Sequence, residues 1–223
     1  MTEKIIYHVD VNSAFLSWEA CYRMEHLGEE QDLRDLPSAV AGDSQARHGV
    51  ILAKSTPAKL MGVKTGEPVW QARRKCPGLI LVPANYGLYV AASRRFIALL
   101  KDYAPVVEQY SIDEAYADVT GCRRLYGDPV QAAYELKDRI HRELGFTVNV
   151  GVSCNKLLAK MAGELEKPDK VHTLFPEQIG EKMWPLPVGE LFSVGPARRG
   201  RLEQIGVTTI GQLARMDLSR VKA

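Results

Sequence analysis

The sequence predicts an α+β fold, and three observations carry that prediction. Apolar residues alternate in some stretches with the two-residue period of a strand and recur in others with the 3.6-residue period of a helix. These stretches follow one another as strand, helix, strand, strand, helix, strand, and an insertion of about seventy residues separates the first strand from its helix.

The first strand is read at residues 5–10, a β-branched and aromatic run that ends on Asp10. A helix over residues 14–24 follows, because Ala14, Phe15, Trp18, Cys21 and Tyr22 recur at helical spacing. A stretch rich in charge and turn residues then leads to a short strand at 50–53 and a basic helical segment that breaks at Cys76-Pro77-Gly78. Residues 86–103 place Tyr89, Ala92, Phe96, Leu99, Leu100 and Tyr103 on one helix face, and Pro105 stops the pattern. Residues 106–110 and 115–119 read as two strands joined by a tight turn around Ile112, Asp113 and Glu114. The second core helix carries Ala133, Leu136, Ile140 and Leu144 on one stripe and ends at Gly145, a residue type that accepts left-handed cap geometry. Phe146, Val148, Val150 and Val152 alternate with polar or small residues, which predicts a half-buried last strand.

This is the split βαβ, ferredoxin-like order βαββαβ. In such a sheet the first strand lies beside the third and all neighbours run antiparallel. The end of strand one and the turn between strands two and three then share one sheet edge, which brings Asp10 to Asp113 and Glu114 across about a hundred residues of sequence.

At 223 residues, 46% hydrophobic and 25% charged, the chain has the composition of a soluble globular protein with a genuine core. No apolar run approaches the ~20 residues of a membrane span, so no membrane association is expected. Cys21, Cys76, Cys122 and Cys154 are far apart and form no C-x-x-C pair, which argues against zinc and disulfide frameworks and for a cytoplasmic protein. The net charge of +2 is small, but its distribution is uneven. Residues 54–75 hold six Lys or Arg against Glu67 alone, and Arg198, Arg199, Arg201, Arg215, Arg220 and Lys222 follow Pro196 against Glu203 and Asp217. Such clusters are more often solvated surface than partner sites.

Close carboxylates repel one another unless a cation shares their site, and all-oxygen ligands select magnesium, manganese or calcium. Two such ions ~4 Å apart form the arrangement used for in-line phosphoryl transfer. An isolated Asp-Glu pair in a turn is usually only an exposed turn; its placement opposite a strand-terminal aspartate shifts the balance towards a metal site.

Ser111-Ile112-Asp113-Glu114-Ala115-Tyr116 and His8-Val9-Asp10-Val11-Asn12 together resemble the metal-binding motifs of Y-family (translesion) DNA polymerases, the UmuC-like ImpB/MucB/SamB group. The similarity runs on through Gly62-Val63-Lys64, Val150-Gly151-Val152-Ser153, Asn155-Lys156, Ala159-Lys160 and Lys167-Pro168. It implies a palm (residues 1–13 and 86–174), small inserted fingers (14–85) and a partial helical thumb (175–223). It implies Asp10, Asp113, Glu114 and the Val11 carbonyl as ligands of two Mg2+ ions, replaceable by Mn2+, with Asp113 and Glu114 catalytic. The nucleotide would lie against Ser13, Ala14 and Phe15, the last as a steric gate against a ribose 2′-hydroxyl. Lys167, read as sharing a polar helix face with Lys156 and Lys160, would neutralise the triphosphate. Thr56 and Lys59 stand where the family grips the triphosphate with tyrosine and arginine, which implies a weaker grip or one shared with Lys54, and Asn12 stands where many members carry aspartate.

The run Phe192-Ser193-Val194-Gly195-Pro196 and the helix after it look like a helix-hairpin-helix, with Gly195, Arg198 and Arg199 as DNA-phosphate contacts and Ser193 replacing a usual glycine. The resemblance implies low-fidelity synthesis from deoxynucleoside triphosphates on primer-template DNA by a monomer. Family members continue for about another hundred residues, so a weakly active fragment is expected, with any sliding-clamp contact beyond this chain. A palm-type nucleotidyl cyclase shares the sheet and the metal chemistry, but the inserted fingers and the hairpin disfavour it. A catalytically silent DNA-binding relative is disfavoured by the presence of all three carboxylates.

Overall fold

The computed structural model describes residues 4–42 and 49–217, so Arg220 and Lys222 of the second basic cluster lie outside the described residues. β1 (Ile6–Val11) enters the middle of the larger sheet and α1 (Ala14–Tyr22) follows it. The inserted segment contributes β2 (Ser38–Ala41), β3 (Ile51–Lys54), two short helices, α2 (Thr56–Leu60) and α3 (Val69–Lys75), and β4 (Ile80–Pro83). The chain returns to the larger sheet through α4 (Tyr86–Tyr103), β5 (Val106–Gln109), β6 (Glu114–Asp118), the single turn α5 (Arg123–Tyr126), α6 (Pro129–Leu144), β7 (Val148–Ser153), α7 (Lys156–Glu164) and β8 (Val171–Thr173). Two helices, α8 (Pro196–Gln204) and α9 (Ile210–Ala214), come last.

The helix starts are written in the sequence. The Asn85, Asp128 and Asn155 side chains each accept from backbone N–H groups in the first turns of α4, α6 and α7, and Pro129 sits at the first position of α6. Gly145 closes α6 at φ 77°, which only glycine adopts without strain.

The fold is α+β with two mixed sheets. The larger has the order β5-β6-β1-β7-β8 and the smaller β3-β2-β4. β1 runs antiparallel to both β6 and β7, and β5 antiparallel to β6, so the four strands read from the sequence stand in the expected order. Three features depart from expectation. β8 adds a fifth strand parallel to β7, so not every neighbour is antiparallel. β2 and β4 pair in parallel within a stretch read as irregular; all four residues of Ser38–Ala41 are buried, leaving no polar alternation to read, and β4 is four residues long. β7 is buried at all six positions rather than half-buried, because helices cover both of its faces.

Alternation along β1 divides the interior. Tyr7, Val9 and Val11 join the main core with Phe96, Leu100, Leu136 and Ile140 of α4 and α6. Ile6 lies on the opposite face against Tyr116 and Ala159, under α7. Leu16 and Trp18 of α1 belong to the main core together with Val40, Ala53 and Val82, so the smaller sheet rests against the larger body through α1. Its other side has a core of its own built from Ile51, Ala58, Val63, Ala72 and Cys76. The four cysteines are free thiols. No helix of the described residues is long and apolar enough to cross a membrane.

α7 approaches β7 closely enough that a Cβ on Gly151 would lie 1.9 Å from the Ala159 carbonyl oxygen and 2.5 Å from the Gly163 nitrogen. Gly151→Ala must therefore push the helix away, and a loss of about 3 kcal/mol is expected in urea unfolding, at the upper end of overpacking effects. An unchanged denaturation midpoint would contradict this packing.

Candidate active site

Strand register assembles the site. Asp10 is the cross-strand partner of Glu114, and the Val11 N–H donates to the Asp113 carbonyl at 3.0 Å, which extends the β1–β6 pairing into the turn. Tyr110 and Ser111 N–H groups both donate to the Glu114 carbonyl. The Ser111 hydroxyl donates to Asp113 Oδ1 at 2.6 Å and accepts from the Asp113 and Glu114 N–H groups. One serine thus pins both carboxylate residues of the turn.

The three carboxylates share the sheet edge, but their side chains do not converge. Among the described residues no three Asp, Glu, His or Cys side chains are grouped closely enough to hold a metal ion as they stand. Each instead has a partner. Lys167 pairs with Asp10, Lys160 and the His8 imidazole bond Glu114, and Ser111 bonds Asp113.

These partners act unequally. Burial pushes the Asp10 carboxyl above its ordinary pKa even with Lys167 beside it. Burial would also raise Glu114, but hydrogen bonds from His8 and Lys160 outweigh it and hold this carboxyl down at about 2. Burial works against the Lys167 ammonium, yet Asp10 and Glu164 together raise its pKa. The pair is consequently favourable seen from the lysine and insufficient seen from Asp10, whose lost hydration one ammonium does not replace.

A cleft of about 270 Å3 opens beside this edge, lined by Asp10, Val11, Ser13, Ala14, Phe15 and Asp113 on one side and by Leu52, Ala53, Lys54 and Thr65 on the other. Ser13 begins α1 in the left-handed region at φ 47°. Phe15 is half-buried, and its ring stacks on Tyr89 at 4.6 Å between centroids, with planes 9° apart. Thr56 and Lys59 are exposed on α2 and do not line the cleft. The cationic group that does is Lys54, whose ammonium donates to the Thr65 hydroxyl at 2.9 Å. Burial and the neighbouring Lys59 lower its pKa, and no carboxylate lies within ion-pair reach of it among the described residues.

Residues 9–164 match the model of the impB/mucB/samB family. The chain belongs to that family. It is 52% identical over 220 residues to DNA polymerase IV of Clostridium acetobutylicum, covering 99% of this chain and 55% of that protein. It is 39% identical over 219 residues to DNA polymerase IV 1 of Bacillus subtilis, covering 98% and 51%. The fold superposes on DinB from Sulfolobus solfataricus with a TM-score of 0.84 at 27% identity, covering 98% of this chain and 62% of that one. It also superposes on an insertion ternary complex of Dbh DNA polymerase with a TM-score of 0.85 at 27% identity, with the same coverage. The chain spans about half the length of the curated relatives it matches.

Within this family member, Lys167 is not on a helix face with Lys156 and Lys160. α7 ends at Glu164, and Lys167 lies in the loop before β8. Two asparagines hold that loop. Buried Asn149 donates to the carbonyls of Gly163 and Glu166, while Asn12 accepts from the Asp169 N–H and donates to Asn149. Asn12 is therefore bound into the scaffold that carries Lys167. Lys156 turns to Glu108, and the Lys160 ammonium lies 5.3 Å from the Tyr110 ring and 5.0 Å from the Phe192 ring. Of the predicted DNA contacts, Arg199 folds back onto Glu203 at 2.7 Å and Arg198 donates to the Ser193 carbonyl at 2.8 Å. Gly195 caps α8 with open space on its Cα.

The depressed Glu114 carboxyl contributes to stability fully above its ordinary value of 4.5, and that contribution is lost as pH falls towards about 2. In metal-free protein, Lys160→Met is expected to raise the Glu114 pKa and lower stability at neutral pH. Carboxyl 13C shifts across an acid titration measure the first, and an unmoved Glu114 titration would contradict the pairing.

Proposed function

We propose that this chain is the catalytic region of a template-directed DNA polymerase of the low-fidelity, translesion type. The reaction is attack of a primer 3′-hydroxyl on the α-phosphate of a deoxynucleoside triphosphate, with release of pyrophosphate. The observation that carries this reading is the cleft at which Asp10, Val11 and Asp113 from the sheet edge meet Phe15 from α1 and Lys54 from the inserted segment. Family membership, and relatives that are themselves DNA polymerases, support it.

The donor chemistry at the sheet edge suits two divalent cations. The donor set is oxygen only, which suits Mg2+ or Mn2+, and burial leaves the Asp10 carboxylate short of positive charge. Asp10, Asp113, Glu114 and the Val11 carbonyl would hold the ions, with Asp113 and Glu114 beside the reacting hydroxyl. When bound, such ions activate the attacking hydroxyl and neutralise the phosphate charge.

The chain's own residues do the remaining work. Lys160 and Lys167 hold the carboxylates while no stronger cation is present, and Lys167 then turns to the triphosphate. Lys54 reaches phosphate oxygen from the inserted segment, the part expected of Thr56 and Lys59. Its ammonium acts as a point charge without the bidentate fork of arginine. Phe15, braced on Tyr89, presents its ring beneath the sugar with Ser13 and Ala14 beside it.

In this reading the larger sheet is a ferredoxin-like palm (1–13 and 86–174), the smaller sheet belongs to the fingers (14–85), and residues from 175 onward begin a thumb. The hairpin before α8 would bind a DNA phosphate through its backbone N–H groups. Ser193 takes φ 73° there, the left-handed geometry for which glycine is the usual residue, and residues 188–190 form only a single helical turn before it.

Primer extension by the full-length gene product tests the reading. Asp113→Ala is expected to lower the rate by ~10²-fold or more, and undiminished extension would end the catalytic assignment. Phe15→Ala is expected to reduce discrimination against ribonucleotides by about tenfold or more; an unaltered preference would remove Phe15 from the gate.

A further inference from the structure

His8 is the one fully buried ionisable side chain on the α7 face of β1, and the reading above gives it no part. It lies two residues before Asp10 and therefore on the same face of the strand. Across the sheet it is paired with Tyr116, two register positions from the Asp10–Glu114 partners, so Glu114 is its diagonal neighbour and within reach of its ring.

The ring uses only one of its nitrogens. Nε2 lies 2.7 Å from Glu114 Oε2. Nδ1 is buried with no hydrogen-bond partner, and an ideal Cβ on Gly163 would come to 3.4 Å from it. A glycine in α7 thus lets the helix close over the imidazole without supplying Nδ1 with a partner. A buried polar atom left unpaired costs stability, so this histidine is a poor choice if its role is to fill the interior.

Both side-chain donors on Glu114 act on the same atom. His8 Nε2 and Lys160 Nζ each bond Oε2, and among the described residues Oε1 has no hydrogen-bond partner. Two donors on one oxygen fix the carboxylate's rotation and leave the other oxygen for a cation. Carboxylates that ligate metals are held by hydrogen bonds of this kind, and loss of such a partner typically weakens metal affinity 10- to 100-fold.

We infer that His8 is a positioning residue for divalent-cation binding: its Nε2–H fixes the rotation of Glu114 so that Oε1 is presented to the ion. The inference rests on the two-ion reading of the site and adds to it a residue that touches neither ion nor nucleotide. Lys160 supplies a donor on a long stem with several rotatable bonds, whereas the imidazole is rigid, fully buried and packed on Tyr116, with ring centroids 5.0 Å apart, so its direction is the better defined of the two.

The test measures Mn2+ binding to this chain by electron paramagnetic resonance, with thermal unfolding followed in metal-free buffer. His8→Leu removes the donor together with the unpaired nitrogen; Mn2+ Kd is expected to rise about 10- to 100-fold, and the unfolding temperature to fall as Glu114 loses one of the two side-chain hydrogen bonds that hold its carboxyl down. His8→Gln restores an N–H near the Nε2 position and is expected to recover most of the affinity. Unchanged Mn2+ affinity in His8→Leu overturns the inference, and so does an equal loss of affinity in both variants. If the unsubstituted chain shows no saturable Mn2+ binding, the two-ion reading itself falls. Nitrogen-15 spectra of the unsubstituted protein give a check that needs no folded variant: His8 is expected as the Nε2–H tautomer, and an Nδ1–H tautomer overturns the inference.

Discussion

The site depends on the register of β1 between β6 and β7. With Asp10 opposite Glu114 and the Val11 N–H on the Asp113 carbonyl, the two halves of the carboxylate edge are fixed by backbone hydrogen bonds before any side chain is placed. A slip of one residue would turn Asp10 into the apolar core and bring Val9 or Val11 to the site. Burial resists that slip, because Tyr7, Val9 and Val11 all lie in the main core. The same alternation that builds the interior therefore aims the chemistry.

Around that register the protein places a second layer of positive charge and hydrogen-bond donors, much of it carried by α7 and the loop after it. Lys160 comes from the helix itself, Lys167 from the loop held by Asn149 and Asn12, and His8 lies beneath the helix at Gly163. Gly151 and Gly163 let α7 come close enough for these groups to reach the carboxylates. Packing distance and electrostatics are thus one problem here: a helix held farther from the sheet would carry Lys160 away from Glu114.

The opposite wall of the cleft comes from the inserted segment, which adds Lys54 and Thr65 on β3 and the loop after α2. That segment rests on α1, whose Phe15 forms the corner between the two walls. The aromatic contact of Phe15 with Tyr89 ties this corner to α4, so the cleft is shaped by the core rather than by free loops.

The sequence by itself determined the order of the four main strands, the helices flanking them, and the placement of Asp10 with Asp113 and Glu114 at one sheet edge. Those features follow from hydrophobic period and topology, both of which are local or combinatorial. It also supplied Phe15 and the basic character of the inserted segment. Tertiary structure alone decided which lysine meets which carboxylate: Lys167 reaches Asp10 across 157 residues and Lys160 reaches Glu114 across 46, from a loop and a helix whose placement no periodicity encodes. It likewise decided that Lys54, and neither Thr56 nor Lys59, lines the cleft, since the exposure of a short helix depends on how its sheet is docked. The all-buried β2, the four-residue β4 and the parallel β8 were illegible for a related reason, because strands this short, or covered on both faces, display no alternation. His8 stood in plain sight two residues before Asp10, yet its bond to Glu114 exists only because two strands register and α7 closes over the ring.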